Sequence, residues 1–319
     1  IMKACLVLNA HYLDLYSLPV QGDDIPYEET IDAQFELNEA FQAKNLIAIP
    51  CVGANPGLST MIATQLIKEL DIVDTVNART TDFIKTSQFV STVYLSVFFS
   101  HWLGAPGPMF YEDGTLKSIN LLDSEEVFEF PAPVGSQIVY SEAGSADLAL
   151  VPRFADKAIG KMYTKGCVNI DDRPLRDVWL DALSQLLREK QSSENLIEDL
   201  ASYIPTVNDL PADIDPEKIV TGGAFALMIE VAGQKNGVNL KKTISVVTDY
   251  ETAVTHLPWS TPGVYSTIGA APIELILLMV RKQLPSTGVI SVAEINGAQL
   301  LQQIAKRGHT ITKSTQIQY

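Results

Sequence analysis

The 319-residue sequence is poor in the residues that bind metals or staple small folds. It holds 3 cysteines, Cys5, Cys51 and Cys167, widely spaced and without a CxxC pair. So odd and scattered a set excludes a disulfide framework and fits a reducing, cytoplasmic setting. The 4 histidines, His11, His101, His256 and His309, stand at no metal-ligand spacing, and no metal is expected. Basic residues are scarce as well: 23 Lys and Arg against 38 Asp and Glu leave a net charge of −15. That balance argues against nucleic acid or an anionic membrane surface as a partner. Long apolar runs are missing. The longest, Ile273 to Val280, carries Glu274 and falls well short of the ~20 residues of a spanning helix, so no membrane segment is expected. Nor does any strand-like run lead into GxGxxG, the phosphate-cradling loop of a complete dinucleotide-binding fold.

What is present is organised around Leu46 to Leu70. Leu46 to Cys51 is short and almost wholly apolar, as a strand covered on both faces is. Gly53-Ala54-Asn55-Pro56-Gly57 then supplies two glycines and a proline for a tight loop. Leu58, Met61, Ile62, Leu66 and Leu70 recur at helical spacing, with Ser59 as a candidate cap. Strand, glycine-rich elbow and helix together form the unit that places ligands at the carboxyl edge of an open parallel sheet.

Before the elbow, the pattern predicts a helix ending near Leu8, a strand at His11 to Tyr16, an acidic loop from Leu18 to Thr30 and a helix from Ile31 to Lys44. After Val76 it changes. Strand candidates stand at Ser91 to Phe99, Leu116 to Asn120, Glu126 to Phe130, Gln137 to Tyr140 and Ala158 to Ile170. Leu148 to Phe154 begins a helix or turn, and Leu175 to Leu187 is an amphipathic helix. Gln191 to Glu217 is linker-like. Phe225 to Ala232 and Thr243 to Thr248 read as a hairpin joined by Gly233-Gln234-Lys235-Asn236-Gly237. Tyr265 to Gln283 is an apolar helix broken near Pro272, and Gly288 to Tyr319 is a short terminal unit. The expected fold is α/β: a partial Rossmann-like parallel sheet with a second α+β domain on a mixed sheet. The expected boundaries are 1–75, 76–262 and a returning segment, 263–319.

Four stretches carry a resemblance to the saccharopine dehydrogenase-like family of NAD(P)-dependent oxidoreductases, entered partway through its Rossmann domain. Ala10 to Leu15 (AHYLDL) is similar to the family's fourth-strand segment. Gly53 to Ser59 (GANPGLS) resembles its G-x-D-P-G-[LI] elbow, with Asn55 where Asp is usual. Ala224 to Thr248 with Asp249-Tyr250 resembles its late strand pair, and Gly263 to Glu294 its closing helix and T-G-V segment.

The resemblance implies NAD or NADP as cofactor, beside Asp14, Leu15 and Tyr16 at the strand end and Ala54, Asn55 and Pro56 in the elbow. It implies a homodimer and a small-molecule substrate, an amino acid or polyamine-type amine, with hydride transfer at an imine or amine carbon. The wall facing the substrate is matched to Tyr140 and Lys165. No arginine stands in Tyr140 to Gly144 or Tyr163 to Asn169, and Arg153 is the nearest, which speaks against saccharopine itself. Other residues have plainer readings: Asp14 as a turn cap, Asn55 as a turn residue, Lys165 as a solvated lysine, Cys167 as a core thiol and His101 as a loop histidine. No nucleophile–base pair or paired-carboxylate motif stands out, so the catalytic residue is left open. The competing expectation is a non-catalytic homologue acting as a dimerising or small-molecule-binding module.

Overall fold

The computed structural model describes residues 1–15, 27–87, 107–143, 145–170, 175–189, 196–205, 215, 218–258 and 260–318. Two sheets carry the architecture. The smaller is parallel and three-stranded: β1 (Tyr12–Leu13), β2 (Ile47–Ile49) and β11 (Gly288–Val289), with β2 in the middle. The larger is mixed. Its path runs from β12 (Thr310–Ile317) through β10 (Val238–Asp249), β9 (Val220–Lys235), β3 (Ile72–Thr86) and β8 (Ile159–Ile170) to β4 (Met109–Glu112) and β5 (Thr115–Ser118). The hairpin β6 (Glu126–Phe130) and β7 (Gly135–Ser141) joins it where β7 pairs with β8. β3 and β8 run parallel, and the other pairs of this sheet are antiparallel.

The helix after the elbow, α4 (Leu58–Lys68), ties the two sheets into one core. Its Leu58, Met61, Ile62, Leu66 and Ile67 are buried. They meet Ile47 and Ile49 of the small sheet and Val76, Ala78, Ile229 and Val246 of the large one. Each fully buried side chain of this kind stabilises the fold by roughly 1.5–3 kcal/mol relative to exposure. Three helices precede it in the chain: α1 (Met2–Leu8), α2 (Tyr27–Phe35) and α3 (Asn38–Ala43). After β7 comes α5 (Asp147–Phe154), then α6 (Leu175–Glu189), α7 (Leu196–Ala201) and α8 (Tyr250–His256). α9, Pro262–Val280, is followed by α10 (Gly297–Ala305).

Several sequence expectations shift in place or kind. The single helix expected over Ile31 to Lys44 is two, interrupted at Glu36-Leu37, and Asn38, which opens the second, accepts from the Val289 N–H at 2.9 Å and anchors β11. Ser59 does not cap α4; its hydroxyl is donated to Asp147. The 15-residue strand β3 was not expected at all, and it lies at the middle of the large sheet. β12 was folded into the terminal unit and instead edges the large sheet beside β10. The β9–β10 hairpin closes on Asn236-Gly237 alone, both at positive φ (52° and 76°), so the strands run longer than expected. α9 continues through Pro272 by widening to a π turn at Tyr265–Ala270, since the proline has no N–H to give the preceding turn. This 19-residue rod is long and apolar enough to cross a bilayer by length and composition, and more than half of it is buried in the fold. The strand expected at Ser91 to Phe99 lies outside the described residues, as does most of the linker-like segment.

Candidate active site

The elbow is built by satisfying its own backbone. Gly53 N–H donates to the Leu15 carbonyl at 3.1 Å, Leu58 N–H to Gly53 at 3.0 Å and Ser59 N–H to Ala54 at 3.0 Å. Gly57 sits at φ 123°, and a Cβ there would come within 2.5 Å of the Gly53 carbonyl oxygen, so only glycine fits. The Asn55–Pro56 peptide is cis. Asp14 fastens the strand end to this loop. One carboxylate oxygen accepts from Cys51 N–H at 2.7 Å, and the other accepts from the Tyr12 hydroxyl and the Gln34 amide. The backbone N–H groups of the strand end and elbow are therefore largely engaged within the loop. Cys51, Val52, Ala54, Pro56 and Gly57 are buried, and Asn55 alone of the bend is partly exposed.

Asn55 reaches across to the large sheet. Its amide nitrogen lies 3.3 and 3.2 Å from the two carboxylate oxygens of Glu142, just beyond the end of β7. Glu142 is 9% exposed and lies against Gly166 of β8. A Cβ on Gly166 would stand 2.5 Å from Glu142 Oε1 and 2.9 Å from Thr80 Oγ1, so the glycine opens the space that the carboxylate fills. Burial, and then the charge of Asp147, push the Glu142 carboxyl up to about 7, against hydrogen bonding from Asn55 and Ser145. Asp147, fully buried in the first turn of α5, accepts from the hydroxyls of Ser59 and Thr60 on α4. Burial raises it to about 6. Asp82, two residues beyond Thr80 on β3, is raised to about 7 by burial and accepts from Gly263 N–H at 3.2 Å. This side of the sheet thus gathers two buried acids, Glu142 and Asp147, and the partly buried Asp82, with no cation bound to them among the described residues.

The residues expected to line the substrate wall are engaged elsewhere. Lys165 is paired with Glu126 at 3.0 Å and donates to the Ser124 carbonyl at 2.9 Å. It precedes Gly166 on the strand, and successive side chains point to opposite faces. Lys165 therefore faces away from Glu142. Tyr140 is buried with α6 and α7, its hydroxyl donating to Glu125 at 3.0 Å. Arg153 pairs with Asp32 and lies 4.7 Å over the Phe35 ring. Cys167 is a core thiol, raised by burial to about 12. Tyr16 and His101 lie outside the described residues. Of the expected set, Asn55 is the residue that joins the two sheets at a chemically equipped place.

Sequence reasoning missed Glu142, Asp147 and Asp82. Glu142 stands 87 positions from Asn55, so no local spacing betrays the pair. A signal was there: Ser141-Glu142 and Ser145-Ala146-Asp147 follow an apolar strand directly and open a helix, a costly place for two acids unless they are used.

No protein-family model and no curated protein sequence matches the chain. Solved structures do. The fold, a small parallel sheet with a larger mixed one, is of the Rossmann type. In particular it is the saccharopine dehydrogenase-like fold. The homospermidine synthase of Legionella pneumophila, solved with NAD, superposes with a TM-score of 0.64 at 12% identity over 99% of this chain and 72% of that one. Apo saccharopine dehydrogenase (L-Glu forming) of Saccharomyces cerevisiae gives 0.58 at 11% identity, over 99% and 81%.

Proposed function

We propose that this chain belongs to an NAD(P)-dependent oxidoreductase that transfers hydride at a nitrogen-bearing carbon of an amino acid or polyamine-type amine. The carrying observation is the Asn55–Glu142 contact, where the elbow of the parallel sheet meets a buried carboxyl of the mixed sheet. Shared fold with a synthase solved with NAD and with a saccharopine dehydrogenase supports the reading. The cofactor, when bound, supplies the hydride. Asn55 and the elbow suit its nicotinamide end, because Asn55 is the partly exposed polar group there. A pyrophosphate cradle does not form at this elbow, whose N–H groups are taken up internally.

Glu142 is the proton-transfer group in this reading. A carboxyl held near 7 carries its proton at neutral pH yet releases it readily, which suits protonation of a substrate nitrogen or its reverse. The Asn55 amide stabilises the carboxylate left behind, and burial among Thr80, Gly166 and Asn55 keeps water from competing. Buried acids without bound cations favour an amine over a polycarboxylate substrate, since a polycarboxylate calls for guanidinium partners. The three free cysteines accord with a reducing compartment.

Titrating the chain with NADH and with NADPH, followed by cofactor fluorescence, tests the reading. Saturable binding at roughly micromolar concentration supports it, and no binding up to about millimolar overturns it. The engaged donors of the elbow favour a second reading in that event, a non-catalytic small-molecule-binding module.

A further inference from the structure

We infer that Asp147 is a positioning residue: by taking or releasing the Ser59 proton it governs whether Ser59 holds the Asn55 oxygen, and so how firmly the Asn55 amide is set against Glu142. This rests on Glu142 as the proton-transfer group.

The geometry is a chain of four side chains: Asp147 of α5, Ser59 of α4, Asn55 of the elbow and Glu142 just after β7. Asp147, at the start of α5, accepts with one carboxylate oxygen from each of two adjacent hydroxyls, Ser59 and Thr60, in the first turn of α4. Ser59 Oγ also lies 3.3 Å from Asn55 Oδ1, and Asn55 Nδ2 lies against both oxygens of Glu142. An amide has two distinct ends. With its oxygen turned to Ser59, Asn55 must present its NH₂ to Glu142, where it favours the ionised form.

Ser59 has one proton to give. While Asp147 is ionised, that proton goes to Asp147, and Asn55 Oδ1 faces only the lone pairs of Ser59. Once Asp147 is protonated, its own O–H donates to Ser59 or Thr60, and the Ser59 proton becomes available to Asn55 Oδ1. No covalent bond other than the titrating O–H is made or broken. The state of Asp147 is thus passed on as the firmness with which the amide is held. A carboxylate this deeply buried is costly unless its partners compensate, and two neutral hydroxyls compensate less than a cation does.

Other groups around α5 are committed elsewhere. Arg153 of the same helix pairs with Asp32 of α2, and Lys165 of β8 pairs with Glu126. In the turn Val292–Glu294, the Glu294 carboxylate accepts from Ser291 N–H. Cys51 packs beside Ala146. That leaves Glu142 as the carboxyl coupled to Asp147 by charge. The buried Ser145 hydroxyl lies between them in sequence and works to lower Glu142.

The test is an infrared titration of the whole chain, following the protonated-carboxyl stretch and assigning Glu142 by its loss in Glu142→Gln. Asp147→Asn removes the neighbouring charge and moves the Glu142 midpoint down by about one pH unit. Ser59→Ala keeps both carboxyls but cuts the link to Asn55, and moves the midpoint up. An unchanged midpoint in folded Ser59→Ala would overturn the inference; that variant decides the matter should Asp147→Asn not fold. Neither cofactor nor substrate enters the measurement. Failure to bind NADH would therefore count against the oxidoreductase reading while leaving the Asp147 relay to stand or fall on its own.

Discussion

The two faces of the large sheet treat buried charge in opposite ways. On one, Arg79 of β3 holds Glu230 of β9 at 2.6 Å and Glu126 of β6 at 2.9 Å. Lys165 and Lys241 complete the network, and Phe128 lies 4.3 Å over the Arg79 guanidinium. Burial works to raise the Glu126 carboxyl, but hydrogen bonds and charge from Arg79 and Lys165 outweigh it and hold it low. On the other face stand Glu142, Asp147 and Asp82, all raised by burial. The registry pairs Arg79↔Lys165 and Thr80↔Gly166 place the two regimes one residue apart on the same strands. Ion pairing on the first face fastens the hairpin β6–β7 to the sheet. Acids left without cations on the second keep a proton within reach of neutral pH, at a cost in stability.

Breaking the paired face has the largest expected effect. Arg79→Met leaves Glu230 with Lys241 alone and Glu126 with Lys165 alone, and should destabilise the fold by about 1.5–3 kcal/mol in chemical denaturation. On the other face, Gly166→Ala drives a methyl into the space of Glu142 Oε1 and Thr80 Oγ1. Displacing Glu142 from Asn55 should lower kcat about 100-fold in NAD(P)H-coupled turnover, with KM for the cofactor little changed. A normal kcat in that variant would remove Glu142 from the chemistry. The smallest effect is expected at the rim of the network. Lys241 is 32% exposed and Glu230 keeps Arg79, so Lys241→Ala should cost less than about 1 kcal/mol and less still at high salt.

Much of the fold was legible because it is written locally. Apolar run, glycine-rich loop and helical spacing gave β2, the elbow and α4, and Gly233 to Gly237 marked the hairpin, three residues wider than its turn. β3 was not legible, because Asp74, Asn77, Arg79, Thr80 and Asp82 interrupt its apolar pattern and several are compensated only by partners on other strands. The same holds for the candidate site. Asn55 stood out from its turn, whereas Glu142 acquires its meaning from Gly166 and Asn55, which are distant in the chain and adjacent in space. Tyr140 and Lys165 were matched to the substrate wall through the family resemblance, and strand alternation turns Lys165 to the paired face.

The pH dependence of unfolding tests the central contrast most directly. The folded Glu142 carboxyl, at about 7, binds its proton more tightly than the unfolded one, whose value is 4.5. Its contribution is therefore fully present at low pH and is lost as pH rises from the unfolded value through the folded one, on the order of 3 kcal/mol in all. His309, buried and lowered to about 4, acts at the other end: its contribution is lost as pH falls below its unfolded value of 6.5. Comparing the chain with Glu142→Gln by denaturant unfolding from pH ~5 to ~8 isolates the first effect. The account predicts that the stability difference between them shifts steadily in favour of the glutamine variant as pH rises. Parallel curves, with a constant difference across that range, would contradict it.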